Sequence, residues 1–141
     1  MQDFTQVAPQ GGVQGGPAVP AGPWQQCFEL HFAAGQNELT QTFTVPGGRE
    51  LTIRTVTADI GVTGGDQPFV FIFTTVRGEK CQHTILLDEL PRMNDVFQAT
   101  RPVHLYADRH SQVTVMVTRF GNSGYPAIPK PELVVLSGTL S

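Results

Sequence analysis

The sequence predicts an all-β domain, an antiparallel β-sandwich of jelly-roll type with about eight or nine strands, preceded by an extended N-terminal arm. Three observations carry this expectation. Short runs rich in Val, Ile, Thr and Phe recur along the chain, the residues that fit a pleated, half-buried surface. Period-two alternation is clear in several of them. Turn residues separate them throughout, with 15 glycines and 11 prolines in 141 residues. No stretch holds a helical period; the best candidate, Leu86–Asn94, is cut by Pro91.

Residues 1–26 read as a separate arm and 27–141 as a single domain. The arm is built from Gln, Gly, Pro and Ala and carries one charge, Asp3. Pro9, Pro17, Pro20 and Pro23 interrupt any helix or ladder. Such a segment buries too little apolar area to offset its own ordering entropy. Its isolated apolar side chains, Phe4, Val7, Val13, Val19 and Trp24, are candidate anchors for a neighbouring subunit. The opening Met1-Gln2-Asp3 has no basic or apolar region of the signal-peptide kind.

The first strand is expected at Cys27–Ala34, where Phe28, Leu30 and Phe32 share one face and Glu29 and His31 the other. Further strands are expected at Leu39–Val45, Glu50–Thr57, Phe69–Arg77 and Cys81–Asp88. Then come Asp95–Thr100, Pro102–Ala107, Gln112–Phe120 and Glu132–Leu140. Val113, Val115 and Val117 alternate with Thr114, Met116 and Thr118. Leu51, Ile53, Phe71, Phe73, Val103, Leu105 and those three valines form the expected core. Many short strands with Gly/Pro turns fit a jelly roll better than a seven-strand sandwich, with a closed up-and-down barrel as the alternative.

Thr44-Val-Pro-Gly-Gly-Arg-Glu-Leu-Thr-Ile-Arg-Thr-Val-Thr57, Arg101-Pro-Val-His-Leu-Tyr-Ala-Asp108 and the closing Leu136-Ser-Gly-Thr-Leu140 add a resemblance. Each is similar to a strand-and-turn signature of small, mostly uncharacterised bacterial β-sandwich proteins, often exported. The resemblance runs from about Thr44 to Ser141. It implies a fold and a location outside the cell or on a cell or particle surface, and it carries no catalytic residues.

Composition excludes several functions. The net charge is −3, from 9 basic and 12 acidic residues, so a nucleic-acid partner held by phosphate neutralisation is not expected. No apolar run approaches the roughly 20 residues of a membrane span. Serines are few, none in a Gly-x-Ser-x-Gly elbow, and no phosphate-binding Gly-x-x-x-x-Gly-Lys loop occurs. Adjacent Asp88 and Glu89 would point to opposite faces of a strand. No enzyme and no cofactor are expected.

Two cysteines, Cys27 and Cys81, stand at the starts of expected strands. In an oxidising compartment they could pair, which would contribute about 4 kcal/mol in a chain-entropy account; otherwise they are two separate thiols. His104, Tyr106, Asp108 and His110 fall two apart, on one face of a continuing strand. His104, Asp108 and His110 are therefore weak metal candidates. Same-face neighbours stand about 6.6 Å apart, and the Asp-Arg-His-Ser turn breaks the face, so a solvated surface is the plainer reading and no metal is expected. His31 and His83 are isolated, outward-facing histidines.

Low charge and a long arm together point to a non-catalytic assembly subunit of surface, coat or appendage type, its partners being copies of itself. The alternative is a module binding carbohydrate, such as a surface glycan, with Tyr106 and Tyr125 as stacking platforms.

Overall fold

The computed structural model describes residues 19–141. Its nine strands are β1 Gly22–Leu30, β2 Glu38–Thr44, β3 Leu51–Gly61, β4 Gln67–Val76, β5 Glu79–Ile85, β6 Asp88–Glu89, β7 Val96–Ala107, β8 Gln112–Phe120 and β9 Glu132–Leu140. They form two antiparallel sheets, in the orders β1-β9-β3-β7-β6 and β2-β8-β4-β5. Leaving aside the two-residue β6, successive strands alternate between sheets except at the β4–β5 hairpin, the double Greek-key order of a jelly roll.

Side chains from the inner faces meet in one core. Leu51, Ile53, Val56 and Ile60 of β3 and Val134 and Leu136 of β9 face Val70 and Ile72 of β4 and Val113, Val115 and Val117 of β8. At one end of the sandwich, here the lower, lie Gly22, Leu51 and Leu140, with Gly22 paired to Leu140. At the upper end lie the loops 31–37, 62–66, 90–95 and 121–131.

Several boundaries differ from the sequence reading. β8 and β9 fall as expected, but β1 starts at Gly22, five residues before Cys27, and stops at Leu30. The arm therefore gives up residues 22–26 to the domain. Pro23 is tolerated because β1 is an edge strand. The two strands expected on either side of Arg101 are one, Val96–Ala107. Pro102 fits inside β7 because β6 covers only Phe97 and Gln98, leaving the rest of β7 at the sheet edge.

A bulge marks the centre of the larger sheet. β3 pairs Ile53 with Gly138 and Thr55 with Ser137, so Arg54 has no partner on β9. The extra residue shifts the buried phase from Leu51 and Ile53 to Val56, Ala58 and Ile60. It also drives the β3 backbone against β9. A side chain on Gly138 would collide with the Thr52 carbonyl, so only glycine fits there.

Candidate interaction surface

The sequence of β4, Gln-Pro-Phe-Val-Phe-Ile-Phe-Thr-Thr-Val, is apolar in both phases of its alternation. The structure buries Val70, Ile72 and Thr74 and turns Phe69, Phe71 and Phe73 to the outer face. Phe71 and Phe73 are thus not core residues. The inner face already meets the close-packed side chains of the opposite sheet, and three phenylalanines would overfill that layer where Val and Ile fit.

On the outer face, β8 continues the apolar surface. Met116 stands opposite Phe71, and the Phe120 ring lies 6.0 Å from that of Phe69. Phe69 and Phe71 are stacked at 6.2 Å. Phe120 is 48% exposed, and the three β4 phenylalanines are half-buried. Threonines border the stripe: Thr40, Thr42 and Thr44 on β2, Thr84 on β5. The Thr42 and Thr114 hydroxyls share a hydrogen bond of 2.8 Å. Glu38 and Lys80, at the corners, are the charged residues of this face. The outer face of the five-stranded sheet differs: Gln25, Glu29, Thr57, Asp59, Gln98 and Thr100 are exposed there.

The upper end is held by a buried cation. Arg119 is fully buried and donates to the carbonyls of Gln36 at 2.8 Å, Pro126 at 2.7 Å and Ala33 at 3.3 Å. Its guanidinium lies 4.4 Å from the Phe32 ring centre and 5.4 Å from that of Tyr125. One side chain thereby ties the β1–β2 loop to the β8–β9 loop. Nearby, Glu132 is also fully buried; its Oε1 accepts from the Gly61 N–H at 2.8 Å, and its Oε2 has no partner among the described residues. Burial pushes this carboxyl up to about 7, against the pull of the Gly61 hydrogen bond and of Arg119. Neither residue stands out in the sequence, because each gains its role only when separate loops meet.

The residues expected to act are scattered. Phe4, Val7 and Val13 lie outside the described residues. Val19 is described; its carbonyl accepts from Arg49 Nε at 2.7 Å at the lower end. Trp24 is not a free anchor: it sits in β1 and stacks on Phe43 of its own domain at 5.4 Å. Cys27 is exposed on β1 and Cys81 half-buried on β5, and both are free. The two strands are edges of different sheets, at opposite sides of the sandwich, so no disulfide joins them.

His104 hydrogen-bonds the Tyr106 hydroxyl at 2.8 Å, whereas Asp108 turns away to accept from Gly78 N–H at 3.1 Å. His110 occupies the following turn at φ +64°, so the strand face breaks before it and the three metal candidates do not converge. His83 is not outward: it shares the inner side of β5 with Ile85, 3.5 Å from the Thr74 hydroxyl, and burial lowers its pKa. Tyr106 is exposed near the lower end, while Tyr125 lies in the upper loops against Arg119. The two tyrosines do not form one platform.

No protein-family model matches this chain, and no curated protein matches it. Among solved structures it is similar to part of dimeric latent PorU from Porphyromonas gingivalis, at 11% identity and a TM-score of 0.50. That alignment covers 93% of this chain and 14% of the other. A second, more distant likeness is to infectious bursal disease virus, Gt strain, at 8% identity and a TM-score of 0.42, covering 94% of this chain and 36% of that one. The chain spans well under two thirds of either. At these identities the likeness shows a β-sandwich fold alone.

Proposed function

We propose that this chain is a non-catalytic β-sandwich subunit that works by assembling with copies of itself, as a surface, coat or appendage component. The observation that carries the reading is the aromatic stripe of Phe69, Phe71, Phe73, Met116 and Phe120 on an otherwise Thr-lined outer face. Contiguous apolar patches on soluble domains mark interaction sites. Each large apolar side chain gains about 1.5–3 kcal/mol when fully removed from water, so the stripe favours a covered state. The few charges on this face leave little repulsion between copies. The resemblance of Thr44 to Ser141 to exported bacterial β-sandwich proteins goes with a place outside the cell or on a particle surface. The glycan reading has no such support, since Tyr106 and Tyr125 lie at opposite ends of the domain.

Sedimentation equilibrium of the full chain tests this. A mass above that of one chain, growing with concentration, is the expected result. A single-chain mass across the whole soluble range would discard the reading.

A further inference from the structure

We infer that the Phe69–Phe71–Phe73 stripe is the receptor for the N-terminal segment, residues 1–18, of a second copy of this chain. The inference rests on the assembly reading above and names the two surfaces that meet.

The shape of the stripe selects its occupant. Its apolar residues lie on two adjacent strands, β4 and β8, which makes it about 10 Å wide. From Phe69 to Phe73 it runs four residues, or about 13 Å. A second folded domain would have to cover about 800 Å² per partner for a standard interface. A strip this narrow, walled by threonines, matches the footprint of one extended chain.

The segment has a matching pattern. Every Met, Phe and Val among residues 1–19 falls on one spacing: Met1, Phe4, Val7, Val13 and Val19 are separated by three or six residues. Three is the period of the polyproline II helix, in which residues i and i+3 lie on the same side about 9 Å apart. Pro9 and Pro17 disfavour helix and ladder, and aromatic-lined surfaces are the usual receptors of the polyproline II form. Docked in this form, the segment would present Phe4 and Val7 to the rings, with Gln and Gly toward water. Asp3 is its one charged side chain, in keeping with a receptor flanked by Thr and Gln.

Geometry favours a neighbour's stripe over the segment's own. β1 runs upward from Gly22 at the lower end, where Arg49 holds the Val19 carbonyl. The stripe of the same chain lies on the outer face, beyond β2 at the sheet edge. Fully extended, 18 residues span up to about 60 Å, enough to reach an adjoining copy.

The test replaces Phe4→p-benzoylphenylalanine in the full-length protein and mixes light with isotopically heavy chains before photolysis. Light-to-heavy cross-links to the peptides carrying Phe69–Phe73 or Met116–Phe120 are expected. Phe71→Thr and, separately, Phe4→Ser should each weaken self-association at least tenfold, Phe71→Thr lowering the thermal melt of the domain by no more than a few degrees and Phe4→Ser leaving it in place. Cross-links confined to chains of one isotope mean that the segment folds onto its own stripe, and overturn the inference. So do cross-links to another face with assembly intact, a result that spares the assembly reading. A single-chain mass for the unsubstituted protein overturns both.

Discussion

Arg119 shows how one residue sets the upper end of the sandwich. Its three carbonyl partners belong to two loops that share no strand, and no neutral side chain can satisfy all three. Arg119→Met keeps the apolar stem and leaves those acceptors unpaired, at about 1–3 kcal/mol for each that water does not reach. A loss of at least about 3 kcal/mol in urea unfolding is expected. Glu132 gives the opposite kind of signal. Its carboxyl titrates near 4.5 when unfolded and near 7 when folded, so the folded state holds the proton more tightly. Its contribution is therefore complete below about pH 4.5 and is lost as pH rises through 7, a loss of roughly 3 kcal/mol. Urea midpoints of Glu132→Gln should lack that component, and the variant should gain on the parent between pH 5 and 8. Cys27 is exposed, yet desolvation and then the Glu29 charge raise its pKa. Disulfide-exchange reagents should modify it more slowly at pH 7 than a free thiol, and reductant should leave the melting temperature unchanged.

Among the strands, legibility followed the contrast between the two faces. β8 alternates Val with Thr and Met between turn residues, and its ends and its buried face were both readable. The fold class followed from the same contrast repeated along the chain. β4 offers Phe on one phase and Val-Ile on the other, so period alone cannot say which goes inside. Volume decides it, and volume is set by the opposite sheet. Ile72→Ala should therefore cost about 2–5 kcal/mol as a cavity mutant, and Phe71→Thr less than half as much, by chemical denaturation. Equal losses would show that the phase is wrong. β1 was missed at its start because Gly22-Pro23 reads as linker, whereas pairing with the far end of β9 makes it strand. The stripe was hidden for the reason that hid the β4 phase. Phe71 and Phe73, expected in the core on sequence grounds, belong to it.

At the scale of the whole molecule, the first described strand begins at Gly22 and not at Cys27. Removing residues 2–18 leaves all nine described strands in place, and the melting temperature should stay within a degree or two. Removing 2–26 also strips residues 22–26 from the β1–β9 ladder, together with the Trp24–Phe43 stack. That variant should melt well below the first, or fail to fold. Comparing the two truncations by calorimetry separates what the segment does for assembly from what β1 does for stability.

The pairing of Gly22 with Leu140 has a mechanical side. β1 and β9 are antiparallel neighbours, and both outer ends of the chain leave from the same rung. Tension applied between the N-terminal segment and the C-terminus loads that rung first, then the next, so the ladder opens like a zipper and not by shear. A subunit tethered to its neighbours through those two ends would yield at low force. If instead the load enters through the segment and leaves through the face of the β2-β8-β4-β5 sheet, it crosses the packed core between the sheets. Pulling single molecules from the two termini, and then from the N-terminus and a handle on β4, should give a low rupture force in the first geometry and a higher one in the second.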